Sequence, residues 1–190
     1  QSCQGCPENH IIQDSTDASK HLNEGDCKLS CDNNQYQNDD KTGCIPCTLG
    51  YTCDGNTRTV CSAGYFCEEG EATGCAAGTF GNKEKESDQT VACEDCPSGY
   101  YQVGVGQPTC TECSKGQFSS ESKQALDTCE SCKVLGHYCP PGTSNATANL
   151  CDVGKYSNSF EASECKICIQ GRYQPDKGES ACVGCPVGMF

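Results

Sequence analysis

The chain has 190 residues, 22 of them cysteine and none tryptophan, with a formal net charge of −13. That cysteine density marks a disulfide scaffold made in an oxidising compartment, and a hydrophobic fraction of 35% with cysteine counted in leaves too little aliphatic surface for one core, so each small segment must be held covalently. The acidic balance excludes a nucleic-acid partner and an anionic membrane surface, both of which need basic faces, and no stretch approaches the roughly 20 apolar residues of a membrane-spanning helix.

In chain order, a divergent first repeat covers residues 1–30. It opens at Cys6 and runs through Pro7-Glu8-Asn9-His10-Ile11. Gln13 to Asn23 is the one modest helical candidate. A second divergent turn follows Cys31, in Asp32-Asn33-Asn34-Gln35-Tyr36. From Cys47 onward a motif recurs nine times: a cysteine, two or three residues, a glycine, and an aromatic. Cys61-Ser62-Ala63-Gly64-Tyr65-Phe66 and Cys96-Pro97-Ser98-Gly99-Tyr100-Tyr101 are two copies. Openings fall at Cys6, Cys31, Cys47, Cys61, Cys75, Cys96, Cys113, Cys132, Cys151, Cys168 and Cys185, most of them 14–21 residues apart, which is a repeat signature.

The sequence divides accordingly. After residues 1–30 come compact repeats at 31–74, simpler repeats at 75–131, a compact repeat at 132–150, and simpler repeats at 151–190. Residue 1 falls just before a Cys3-x-x-Cys6 pair and residue 190 inside an opening motif. The expectation is a window cut from a longer array, with any secretion signal removed or upstream.

The glycine has a local reason. It sits where a tight turn needs positive φ, and asparagine, the next most tolerant residue, stands there in the divergent copies as Asn9 and Asn34. The following aromatic is expected to cover the disulfide below it. The polar remainder, such as residues 81–88, reads as exposed hairpin or loop. The predicted fold is therefore a set of small disulfide-rich repeats with short β-hairpins and little helix, stacked as an elongated, solenoid-like rod.

One pairing rule accounts for the internal cysteines: each opening cysteine joins the first cysteine of the next Cys-x-x-Cys. It predicts Cys6–Cys27, Cys31–Cys44, Cys75–Cys93, Cys96–Cys110, Cys113–Cys129, Cys151–Cys165 and Cys168–Cys182. The repeats at Cys47, Cys61 and Cys132 carry an extra cysteine after the turn, which predicts Cys47–Cys53, Cys61–Cys67 and Cys132–Cys139. Crossed pairings within Cys47–Cys75 stay open, because sequence alone does not determine connectivity. Cys3 and Cys185 are left for partners outside the window.

The pattern Cys-x-x-Gly-x-[Tyr/Phe]…Cys-x-x-Cys resembles the cysteine-rich repeats of ephrin-receptor-like ectodomains and the simplest module of tumour-necrosis-factor-receptor repeats. Long arrays of this kind are similar to those of protist surface proteins, including mastigoneme-like fibre proteins. The resemblance implies extended rods of stacked disulfide modules.

Other chemistry is weaker. Cys93-x-x-Cys96 and Cys110-x-x-Cys113 approach zinc-ribbon spacing, but they belong to an unbroken series of openings. Thioredoxin-like redox work needs a βαβ context that is missing. His10, His21 and His137 are scattered. The acidic run Glu68-Glu69-Gly70-Glu71 lacks a calcium-loop pattern. No cofactor, metal or catalytic residue is expected, and the chain is not read as an enzyme. Asn145-Ala146-Thr147 is a glycosylation sequon, expected to carry an N-linked glycan. The reading is an extracellular structural glycoprotein that forms or extends a cell-surface filament by self-association or with other surface glycoproteins. The alternative is a receptor or adhesin ectodomain that binds a protein ligand.

Overall fold

The structure, a computed structural model, describes residues 10–12 and 27–189. The helical candidate at 13–23, the turn at Asn9 and the expected Cys6–Cys27 bridge lie outside the described residues.

The described chain consists of short antiparallel hairpins. The first four are β1 (His10–Ile12) with β2 (Cys27–Leu29), β3 (Gln35–Gln37) with β4 (Cys44–Pro46), β5 (Tyr51–Cys53) with β6 (Arg58–Val60), and β7 (Tyr65–Glu68) with β8 (Glu71–Gly74). Next come β9 (Thr79–Phe80) with β10 (Glu94–Asp95), β11 (Tyr100–Tyr101) with β12 (Thr111–Glu112), and β13 (Gln117–Phe118) with β14 (Glu130–Ser131). β15 (Lys155–Tyr156) pairs with β16 (Lys166–Ile167), and β17 (Arg172–Tyr173) with β18 (Val183–Gly184). A single helical turn, α1 (Gln89–Ala92), is capped by the Asp88 carboxylate, which accepts from Thr90 N–H at 2.8 Å.

The seven hairpins from β5–β6 onward begin with the same turn. In the Cys96 repeat, Tyr100 N–H donates to Pro97 C=O at 3.1 Å and Gly99 has φ +88°. Positive φ at the third turn position defines a type II turn and selects glycine there. Gly78, Gly116, Gly154 and Gly171 repeat the geometry. Asn34 departs from the expectation. Its turn still closes, with Gln35 N–H donating to Asp32 C=O at 2.9 Å, but Asn34 does not adopt positive φ. A type I turn needs no left-handed residue, so asparagine there reflects turn preference and not a forced backbone.

The described residues hold nine disulfides: Cys31–Cys44, Cys47–Cys53, Cys61–Cys67, Cys75–Cys93, Cys96–Cys110, Cys113–Cys129, Cys132–Cys139, Cys151–Cys165 and Cys168–Cys182. They are the core. The opening cysteines Cys61, Cys75, Cys96, Cys113, Cys132 and Cys151 are buried; in the compact repeats the partners Cys67 and Cys139 are buried too, while Cys93, Cys110, Cys129 and Cys165 are half-buried. A bridge across a loop of this size contributes about 2–4 kcal/mol, mainly by restricting the unfolded chain. The aromatics after the turn glycines are half-buried, apart from the more exposed Tyr173.

Two compact units emerge. The first comprises Gln1–Cys75 with Gly81–Cys93, and the second Ala76–Phe80 with Glu94–Phe190.

Candidate functional site

Within the second unit the most developed arrangement is a backbone frame that interlocks three successive repeats. Gly99 N–H, in the Cys96 repeat, donates to Ser119 C=O in the next repeat at 2.8 Å. Ser119 N–H donates to Thr143 C=O, one repeat further on, at 3.1 Å. Gly142 N–H then returns to Cys113 C=O at 2.9 Å, and the Gly142 carbonyl lies against Gly99, where any Cβ would meet it. Cys113 N–H closes the frame on Gly99 C=O at 2.8 Å.

The frame shifts along the unit one repeat at a time. Gly116 donates to Cys139 C=O, Cys139 N–H to Ala162 C=O, and Glu161 N–H to Cys132 C=O. Gly136 donates to Ser157 C=O, and Gly178 N–H to Cys151 C=O. In the first unit Gly50, Cys67, Glu86 and Lys85 build the same frame, with Lys85 N–H donating to Cys61 C=O. A net backbone hydrogen bond is worth about 0.5–1.5 kcal/mol, and more is lost if a buried group is orphaned.

The frame places one residue of each outer loop in the left-handed region. These are Lys85 (φ 64°), Lys123 (φ 57°), Gly142 (φ 72°), Glu161 (φ 58°) and Gly178 (φ 77°). Three of the five are not glycine, and non-glycine residues in that region cost about 1–2 kcal/mol each. Sequence reasoning missed them. The only signal is positional: Gly142 and Gly178 stand where Lys123 and Glu161 stand in sister repeats.

Buried polar side chains pin the same loops. Gln102 Nε2 donates to Thr109 C=O at 2.7 Å and its Oε1 accepts from Gly104 N–H at 2.9 Å. Gln174 does likewise, to Ala181 C=O at 2.7 Å and from Asp176 N–H at 3.0 Å. Ser119 Oγ donates to Gln124 Oε1.

The first unit has its own features. A groove of about 630 Å³ is lined by Asn33, Asn34, Phe66, Glu68, Glu69, Glu71 and Thr73. Nearby in sequence, the Arg58 guanidinium stacks between rings, 5.2 Å from the Tyr36 centroid and 4.9 Å from that of Tyr51. Asp54 is held below its ordinary carboxylate pKa by the Thr57 and Asn56 backbone N–H groups. Burial, then the Asp127 carboxylate, pushes the Tyr101 phenol up in the second unit. These are loop-fastening contacts, and they bring no nucleophile, base and orienting group together.

The other residues singled out from sequence fall as follows. Cys93, Cys96, Cys110 and Cys113 are all in disulfides and hold no thiolate for zinc. Among the described residues no cluster of histidine, cysteine and carboxylate is arranged for a metal. His137 Nδ1 lies 2.9 Å from Leu135 C=O, and His21 lies outside the described residues. Cys185 is unpaired among the described residues. Asn145 is exposed on the loop between Cys139 and Cys151.

A family model for tyrosine-protein kinase ephrin type A/B receptor-like sequences matches residues 78–125 and 154–190. Those two stretches hold the simplest turn–hairpin–bridge repeats and much of the interlocking frame. They are ephrin-receptor-like cysteine-rich repeats. No curated protein matches the chain. The repeat is a receptor-type module without catalytic machinery, and together with the disulfides it points to an extracellular or cell-surface setting. No helix among the described residues is long and apolar enough to cross a membrane.

Proposed function

We propose that the chain is an extracellular structural module whose ephrin-receptor-like repeats build or extend a cell-surface filament. The observation that carries this reading is the three-repeat frame. Each repeat in the frame is tied by backbone bonds to the next repeat, and its turn glycine packs against a loop carbonyl of the one after it, so stiffness propagates along a unit without a large core. The tie uses backbone groups, turn glycines and disulfides, so it tolerates free variation of the surface. Mechanically, a pull on one repeat is shared with two neighbours and checked by local bridges. The filament grows through self-association or contacts with other surface glycoproteins.

A second reading, a receptor or adhesin ectodomain, draws support from the receptor-type family and from the acid-lined groove of the first unit. The acid-lined groove suits a basic protein ligand by charge complementarity. Electron microscopy of the native surface protein separates the two. Filaments built from copies of the chain support the structural reading, whereas a monomeric particle with a separate bound ligand overturns it.

A further inference from the structure

The loop from Pro140 to Leu150 carries the Asn145-Ala146-Thr147 sequon on a backbone already shaped for modification. Asn145 Oδ1 accepts from Thr147 N–H at 2.9 Å and from the Thr147 hydroxyl at 3.0 Å. Ala148 N–H closes the turn on Asn145 C=O at 3.0 Å. The hydroxyl that the sequon requires is thus held against the acceptor amide. All three bonds lie within residues 145–148, so the arrangement does not depend on distant parts of the fold and is open to a chain still being translocated. The Asn145 side chain is exposed and its Nδ2 has no partner among the described residues. A substituent there would displace no hydrogen bond.

The neighbouring contacts show why the folded loop accommodates it. The interlocking frame passes through Gly142 and Thr143, and Thr143 is buried. The loop closes beside the isolated antiparallel bridge of His137 with Leu150, through Tyr138 N–H donating to Asn149 C=O at 3.0 Å. Asn145 sits between these anchors and takes part in neither.

We propose that Asn145 is an N-glycosylation site, a reading that rests on the extracellular assignment above. The donor is an oligosaccharide linked to a lipid pyrophosphate. Asn145 Nδ2 attacks the anomeric carbon, the N-glycosidic C–N bond forms, and the carbon–oxygen bond to pyrophosphate breaks. The lipid pyrophosphate leaves with that electron pair, and one Nδ2 proton passes to the transferase base. No oxidant or reductant is required. The attached glycan covers the flank of the loop and leaves the backbone frame intact.

The test is secretion of the chain from a eukaryotic host, followed by intact mass and peptide mapping before and after amidase deglycosylation. The wild type should carry a glycan that the amidase removes, leaving aspartate at position 145. Thr147→Ser should keep it, while Asn145→Gln and Thr147→Ala should lose it completely. Thiol counts should be the same in all four proteins. A secreted, fully bridged wild type with an unmodified Asn145 overturns the proposal, as does a glycan at Asn145 that survives Thr147→Ala. A wild type retained in the cell with free thiols overturns the extracellular reading and this proposal with it.

Discussion

Gly116 and Gly171 occupy the same place in the same motif, with φ +80° and +79°, yet their surroundings differ. A Cβ built on Gly116 would lie 2.6 Å from the Glu161 carbonyl oxygen, whereas one on Gly171 would meet nothing within 4 Å. The opening cysteines differ in parallel: Cys113 is buried and Cys168 only half-buried. The turn glycine therefore does two separable things. It supplies positive φ everywhere, and only where a later repeat covers it does it also give room for another backbone. One sequence motif thus encodes the hairpin, and the neighbouring repeats decide what a substitution in it costs.

Removing bridges is the largest test of that difference. Replacing both cysteines of Cys113–Cys129 or of Cys168–Cys182 by alanine releases loops of similar size, separated by 16 and 14 residues. By chain entropy each loss should cost about 3 kcal/mol. The covered repeat should lose more, by roughly 1–2 kcal/mol, because deleting the buried Cys113 sulfur also leaves a void. Denaturant unfolding of the two double variants reads the gap. Equal losses would show that burial of the opening cysteine adds nothing.

Asparagine separates the two duties of the glycine. Asn tolerates the left-handed region better than other side chains but carries a Cβ. Gly171→Asn should cost under about 1 kcal/mol, the residual strain of positive φ. Gly116→Asn should cost about 1–3 kcal/mol more, since the Glu161 backbone must move. Thermal unfolding of the pair checks this, and a similar shift in both would mean that the close approach relaxes freely.

How much of this could be read from the sequence follows from the range of each interaction. The turn–hairpin unit was legible because its determinants lie within five residues: a glycine at a fixed offset from cysteine, and an aromatic beyond it. The scarcity of helix was legible for the same reason, although the α1 turn at Gln89–Ala92, with its Asp88 cap, was not expected at the end of the polar stretch 81–88 read as exposed hairpin or loop. Asn34 misled because one residue type serves two turns, one with positive φ and one without. The frame through Lys123, Gly142 and Glu161 was not legible. It joins residues two repeats apart, and nothing in a lysine or a glutamate announces a left-handed backbone. The acid-lined groove was equally hidden, since Asn33 and Glu68 are brought together only by the fold.

The smallest effect sits at the open end of the comparison, where one repeat reaches the next through a surface ion pair. Lys177 Nζ lies 2.8 Å from Asp152 Oδ1, with both side chains more than half exposed. The hydrogen bond and charge of Lys177 hold the Asp152 carboxyl below its ordinary value of 3.8, and Asp152 holds the Lys177 ammonium above 10.5. A depressed carboxylate stabilises the fold above its unfolded pKa, so this contribution is lost as pH falls below 3.8. A raised ammonium stabilises below its unfolded pKa, so the same contribution is lost again as pH rises above 10.5. Lys177→Met should therefore lower the melting temperature slightly at neutral pH and leave it unchanged in strong acid, where the pair is already broken. High salt should shrink the neutral-pH difference, because exposed pairs are screened. A deficit that persists in strong acid would assign the loss to the packing of the lysine stem instead of its charge, and the open repeats would then be joined by contact and not by the ion pair.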